Sequence, residues 1–252
     1  MGLFDRSKTK ELSTRPSLLL TADPGDALLD AARRYDPEVR PWHGRLVFAN
    51  GVLLFGPIEV TPKMQQEATL PAEASVAYYT GVAAQRTSER RAESAKQDDA
   101  QKLLYGLAVR LGGKTSLVDS PSNLALLASV YSEQAPSPDQ VVEVLRPYGG
   151  EPEVERQKEN SYSISGKGTY FYTAYWSPQL FVNREEPAAL GKLRAGKLHH
   201  WDLNTGVEAK KAARELCLKV GEAALALADT SGGIAIDMFG FRIAAPEDML
   251  LR

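Results

Sequence analysis

Three histidines, one cysteine and one run of aromatic residues carry most of the chemistry open to this chain of 252 residues. Two of the histidines are adjacent in His199-His200-Trp201-Asp202. An imidazole beside a carboxylate could move a proton or ligate a metal. On a strand, however, neighbouring side chains point to opposite faces, so His199 and His200 rarely meet one ion. A zinc site would have to recruit His43 and distant carboxylates, and no HExxH or CxxC spacing is present. The expectation is no metal and no cofactor.

Cys217 lies among Leu216, Leu218 and Val220 and reads as a packed, unreactive thiol. A single cysteine also excludes an intramolecular disulfide. Asp119 and Asp237 end two similar apolar runs. Together they could form a carboxylate pair; separately, each caps the turn that leaves its strand, which is the simpler reading. Gly112-Gly113-Lys114-Thr115 and Ser165-Gly166-Lys167-Gly168 echo phosphate loops, but neither has the strand-loop-helix order such a loop needs. No GxSxG elbow occurs. No catalytic residue is assigned.

The most unusual local feature is Thr169-Tyr170-Phe171-Tyr172-Thr173-Ala174-Tyr175-Trp176. With period two, Tyr170, Tyr172, Ala174 and Trp176 share one face, and Phe171, Thr173 and Tyr175 the other. A buried tyrosine hydroxyl still needs a partner, so several of them suggest a surface that is part apolar and part wet. Tyr170, Tyr172, Tyr175, Trp176, His199, His200 and Trp201 are therefore the candidate set for binding a ligand or partner.

These residues need a frame. Leu107-Ala108-Val109-Arg110-Leu111-Gly112-Gly113 recurs as Leu227-Ala228-Asp229-Thr230-Ser231-Gly232-Gly233, 120 residues later. Each copy closes a helical stretch with a glycine stop and leads into a short apolar run. The first half reads as strand 17–22, helix 27–35, strands 39–49 and 52–60 about the Asn50-Gly51 turn, a charged stretch around 85–101, a helix ending at Leu111, and strand 115–118. The second reads as strand 124–131, a helix from Ser137, a hairpin 154–164 and 169–176, an excursion 177–204, helix 207–228 and strand 234–238.

The predicted fold class is thus α+β, an internal duplication of two ferredoxin-like βαββαβ halves with antiparallel sheets. Residues 1–15 are expected to be a flexible tail, 16–120 the first half and 121–252 the second. In each half, two helices should cover one sheet face.

Composition narrows the function. With 30 basic and 32 acidic residues the net charge is -2, so no positive field recruits nucleic acid. There is no apolar leader and no run long enough for a membrane span, and the expected place is a bacterial-type cytoplasm. The leading expectation is a non-enzymatic binding or interaction protein that engages a protein partner or a small molecule through the aromatic hairpin. The alternative is a small-molecule or haem-binding enzyme or sensor with a pocket between the halves. A homo-oligomer is compatible with either.

Overall fold

Leu3–Thr14 is a helix (α1), where the composition predicts a flexible tail. Its Leu12 is fully buried, with Thr9 buried one turn before it, a pattern too sparse to register as amphipathic in the sequence. The computed structural model describes residues 3–82, 90–117, 125–135, 137–149, 152–158, 161–166, 172–176, 187–191, 198–208 and 211–250. The chain divides into two compact units, Met1–Ser120 and Pro121–Leu251. Both are mixed α+β with antiparallel sheets.

In the first unit, α1 is followed by β1 (Ser17–Leu20), α2 (Asp26–Tyr35), β2 (Arg40–Pro41), β3 (Arg45–Val47), β4 (Val52–Glu59), α3 (Pro62–Glu67), β5 (Val76–Val82), α4 (Arg90–Leu111) and β6 (Lys114–Ser116). The sheet order is β2-β3-β4-β5-β1-β6. The predicted strand 39–49 is really two short strands. His43 and Gly44 both hold positive φ, at 46° and 71°, and Trp42 and Arg45 exchange backbone hydrogen bonds across them. Two left-handed central residues make a tight type I′ hairpin turn.

All four residues of β1 are buried, because the sheet is covered on both faces. Leu19 packs with Leu12 of α1, Met64 of α3 and Ala77 of β5. Leu18 and Leu20 point the other way, toward the end of α4 near Gly113. The second face is therefore closed by helices of the same unit, where the sequence suggested only one covered face.

The second unit runs β7 (Ala125–Ser132), α5 (Pro138–Gly149), β8 (Pro152–Lys158), β9 (Ser161–Gly166), β10 (Tyr172–Trp176), β11 (His199–Glu208), α6 (Arg214–Ser231) and β12 (Ile234–Asp237). Its sheet order is β12-β7-β11-β10-β9-β8. Two predicted boundaries are corrected here. Residues 199–208 are a strand inserted between β7 and β10, where the sequence suggested the end of an excursion. The following helix begins at Arg214 and not at Val207. Among the described residues, each sheet holds six strands where four were expected.

The glycine pairs end helices α4 and α6, as the sequence leads one to expect. Gly112 and Gly232 hold φ of 66° and 63°. The next N–H, of Gly113 or Gly233, donates to Ala108 O or Ala228 O at 2.8 and 2.7 Å. That bond satisfies a carbonyl the helix end would leave unpaired.

Candidate functional site

Strand β11 positions the histidine cluster by simple alternation. Trp201 and Leu203 face α5 and α6, in a core with Val130, Val141, Cys217 and Val220. His200, Asp202 and Asn204 take the opposite face. Trp201 is fully buried, so it is a core position and leaves the set of surface contacts.

On the other face, β11 meets β7 residue by residue. The His200 and Tyr131 rings are stacked, with centroids 4.4 Å apart and planes 7° apart. This pair sits directly opposite in the register. One step along, Ser129 Oγ donates to Asp202 Oδ1 at 2.6 Å. His200 Nε2 lies 2.8 Å from the same oxygen. His200 is 5% exposed, so its ring is held in a fixed plane by Tyr131 and Asp202. His199 points toward the helix side of the sheet, and burial holds its pKa below the ordinary histidine value.

Strand β10 lies alongside. Trp176 pairs with His200, Ala174 with Asp202 and Tyr172 with Asn204, while Tyr175 pairs with Trp201. The next strand continues the rows: Ser161 opposite Trp176, Ser163 opposite Ala174 and Ser165 opposite Tyr172. For β10 and β9 only the backbone pairing is described. Tyr170 and Asp119 lie outside the described residues. The fold thus brings Tyr172, Trp176 and His200 to one sheet face. Tyr175 and Trp201 occupy positions on the other. The alternation Ser161-Tyr162-Ser163-Ile164-Ser165 is the signal of a polar face in the sequence.

The chemistry of this cluster is that of a fixed polar patch. In a nucleophilic triad the imidazole stands between the hydroxyl and the carboxylate and takes the hydroxyl proton. Here the carboxylate stands between, so Ser129 donates to Asp202 and no base is placed to activate it. Asp237 accepts from the N–H groups of Phe239 and Phe241, each at 2.9 Å, and so organises the turn after β12. Burial pushes the Cys217 thiol pKa up, which keeps it protonated and unreactive. Among the described residues, no group of three His, Cys, Asp or Glu side chains could hold a metal ion.

A second feature escaped the sequence reading. In the first unit a cleft of about 450 Å³ opens between the start of α2 and the Trp42–Arg45 turn. Trp42 and Arg45 line it, and the Arg45 guanidinium lies over the Trp42 and Phe55 rings, 4.6 and 5.1 Å from their centroids. Phe55 in turn stacks on Tyr79 at 4.9 Å. Arg45, Phe55 and Tyr79 are direct cross-strand neighbours, so this ladder lies along one row of the sheet. The available signal was His43-Gly44 between Trp42 and Arg45, a two-residue turn flanked by an aromatic and a cation.

Comparison with protein-family models, with curated proteins and with solved structures finds no match. Among the described residues, no helix is long and apolar enough to cross a membrane.

Proposed function

We propose that this chain is a non-enzymatic binding protein of the cytoplasm, built by duplication of a ferredoxin-like unit, that engages a protein partner through the β10–β11 face of its second unit. The duplication is supported by strand order. Each sheet follows the same permutation, with β7 to β12 taking the places of β1 to β6. Four strands of each, β6-β1-β5-β4 and β12-β7-β11-β10, follow the order of a split βαβ sheet, and the paired glycines end equivalent helices. Fold does not carry function, so the binding reading rests on the site.

The observation that carries it is the register of β10 on β11. It sets Tyr172 and Trp176 on the same face as half-buried Asp202, whose carboxylate is fixed by Ser129 and lies against the buried His200 ring. Aromatic residues next to fixed hydrogen-bonding groups suit a protein interface. The Ser129–Asp202–His200 order, which lacks an activated nucleophile, favours binding over catalysis.

Photo-crosslinking in the native host tests this. A benzophenone amino acid placed at 172 or 176 should trap one discrete partner. The same group at exposed Arg33 on α2 should trap none. Adducts that are absent at both β10 positions, or identical to those from position 33, would end the proposal.

A further inference from the structure

The cleft in the first unit has a floor and one polar wall. Leu28, Leu46, Leu54 and Tyr78 form an apolar floor, and all four are buried. Leu29, Pro41 and Pro57 extend the apolar lining. A volume of about 450 Å³ falls within the range of about 300–1,000 Å³ typical of small-molecule sites. Its rim holds four residues in the left-handed region: Gly25 at φ 54°, His43 at 46°, Gly44 at 71° and Gly56 at 146°. At Gly56 an added Cβ would stand 2.5 Å from the Tyr78 ring, so the glycine leaves room for that ring. Of these four, His43 is the one that is not glycine, so the left-handed backbone carries strain at that position of the rim.

The polar wall accepts hydrogen bonds. Asp23 Oδ1 receives the Gly25 N–H at 3.0 Å and the Tyr78 hydroxyl at 3.3 Å. Asp23 is exposed and lines the cleft. The Tyr78 hydroxyl, having donated to Asp23, has only lone pairs left to offer. Burial and the Asp23 charge push its pKa up to about 12, so it stays a neutral phenol. Arg45 also lines the cleft, where its guanidinium is held over the Trp42 and Phe55 rings, 4.6 and 5.1 Å from their centroids, and Asp23 is the carboxylate among the lining residues. The positive end of the α2 dipole amounts to about half a charge, and Asp23 and Asp26 place two full carboxylates there.

An acceptor wall over an apolar floor selects a ligand with a cationic donor and an apolar body. We propose that this cleft binds a small organic amine, with its ammonium group on Asp23 and its hydrocarbon part on Leu28, Leu46 and Leu54. Half-exposed Trp42 stands at the rim, next to the bound molecule.

The test uses the full chain labelled with 5-fluorotryptophan. Its 3 tryptophans give separate fluorine resonances, and Trp42→Phe assigns the one at the cleft. Phenethylamine and hexylamine are titrated to millimolar concentrations, with 3-phenylpropionate as the isosteric acid. The expected result is a saturable shift of the Trp42 resonance with the amines alone, while Trp176 and Trp201 do not move. Asp23→Asn should weaken the amine about tenfold or more, as loss of a charge-assisted hydrogen bond implies. Leu29→Phe should block the cleft while leaving Asp23 in place. A ligand-free Trp42 resonance at the wild-type position and an unchanged far-ultraviolet spectrum show that the first unit of each variant is folded. No response to either amine overturns the proposal. So does equal binding of the acid, or wild-type binding by both folded variants.

Discussion

Adjacent glycines at the end of α6 should respond to alanine by different amounts, for different reasons. Gly232 holds φ 63°, and a Cβ there would meet nothing within 4 Å. The cost of Gly232→Ala is the left-handed backbone alone, about 1 kcal/mol. Gly233 has an ordinary φ, but its Cβ would stand 2.5 Å from the Tyr131 carbonyl oxygen and 3.1 Å from Ser132 Cβ. A backbone oxygen cannot rotate away as a side chain can. Relief requires the start of β12 to move off β7, which strains the 2.7 Å bond from Gly233 N–H to Ala228 O. Overpacking of this kind costs about 1–3 kcal/mol, and more where the neighbour is backbone, so Gly233→Ala should cost about 3 kcal/mol.

Urea unfolding in a Trp42→Phe background measures this, because the remaining tryptophans, Trp176 and Trp201, lie in the second unit. With a slope of about 2 kcal/mol/M, the midpoint should fall by about 0.5 M for Gly232→Ala and about 1.5 M for Gly233→Ala. The first unit should show the same order. Gly112 is open, whereas a Cβ on Gly113 would stand 2.7 Å from Leu19 O. If Gly233→Ala proves no more damaging than Gly232→Ala, the close approach of helix end to strand is not what requires the second glycine.

Two further outcomes follow from burial. Leu12→Ala should destabilise the first unit by about 2–4 kcal/mol in urea unfolding followed by Trp42 fluorescence, because it empties a core position; an unchanged midpoint would mean that α1 is a loose tail. Burial lowers the His199 pKa below its ordinary 6.5, so the folded chain favours the neutral ring. Its contribution to stability is whole above pH 6.5 and is lost as the pH falls through the lowered value. Stability measured from about pH 7.5 to 5 should decline less steeply in His199→Gln, and parallel curves would refute this.

What local chemistry alone decides was legible in the chain. The double glycines announce helix ends, because only glycine takes the left-handed cap without strain. Asp26–Tyr35 and Gly51, at φ 84° after β3, follow directly from short-range pattern and turn preference. The α+β class and the antiparallel sheets followed from the order of those elements. The aromatic strand 172–176 was recognised from its own alternation.

The central strands β5 and β11 were decided by tertiary structure. The sequence His199-His200-Trp201-Asp202-Leu203-Asn204 alternates, yet one side of the alternation is polar and reads as surface. His200 is buried and Asp202 half-buried because Tyr131 stacks on His200 and Ser129 bonds Asp202, partners about 70 residues away that no local window contains. In the same way the Asp23–Tyr78 contact that walls the cleft joins residues 55 apart. Local sequence sets backbone preference within a turn or two, whereas burial and charge pairing depend on which distant strand arrives alongside.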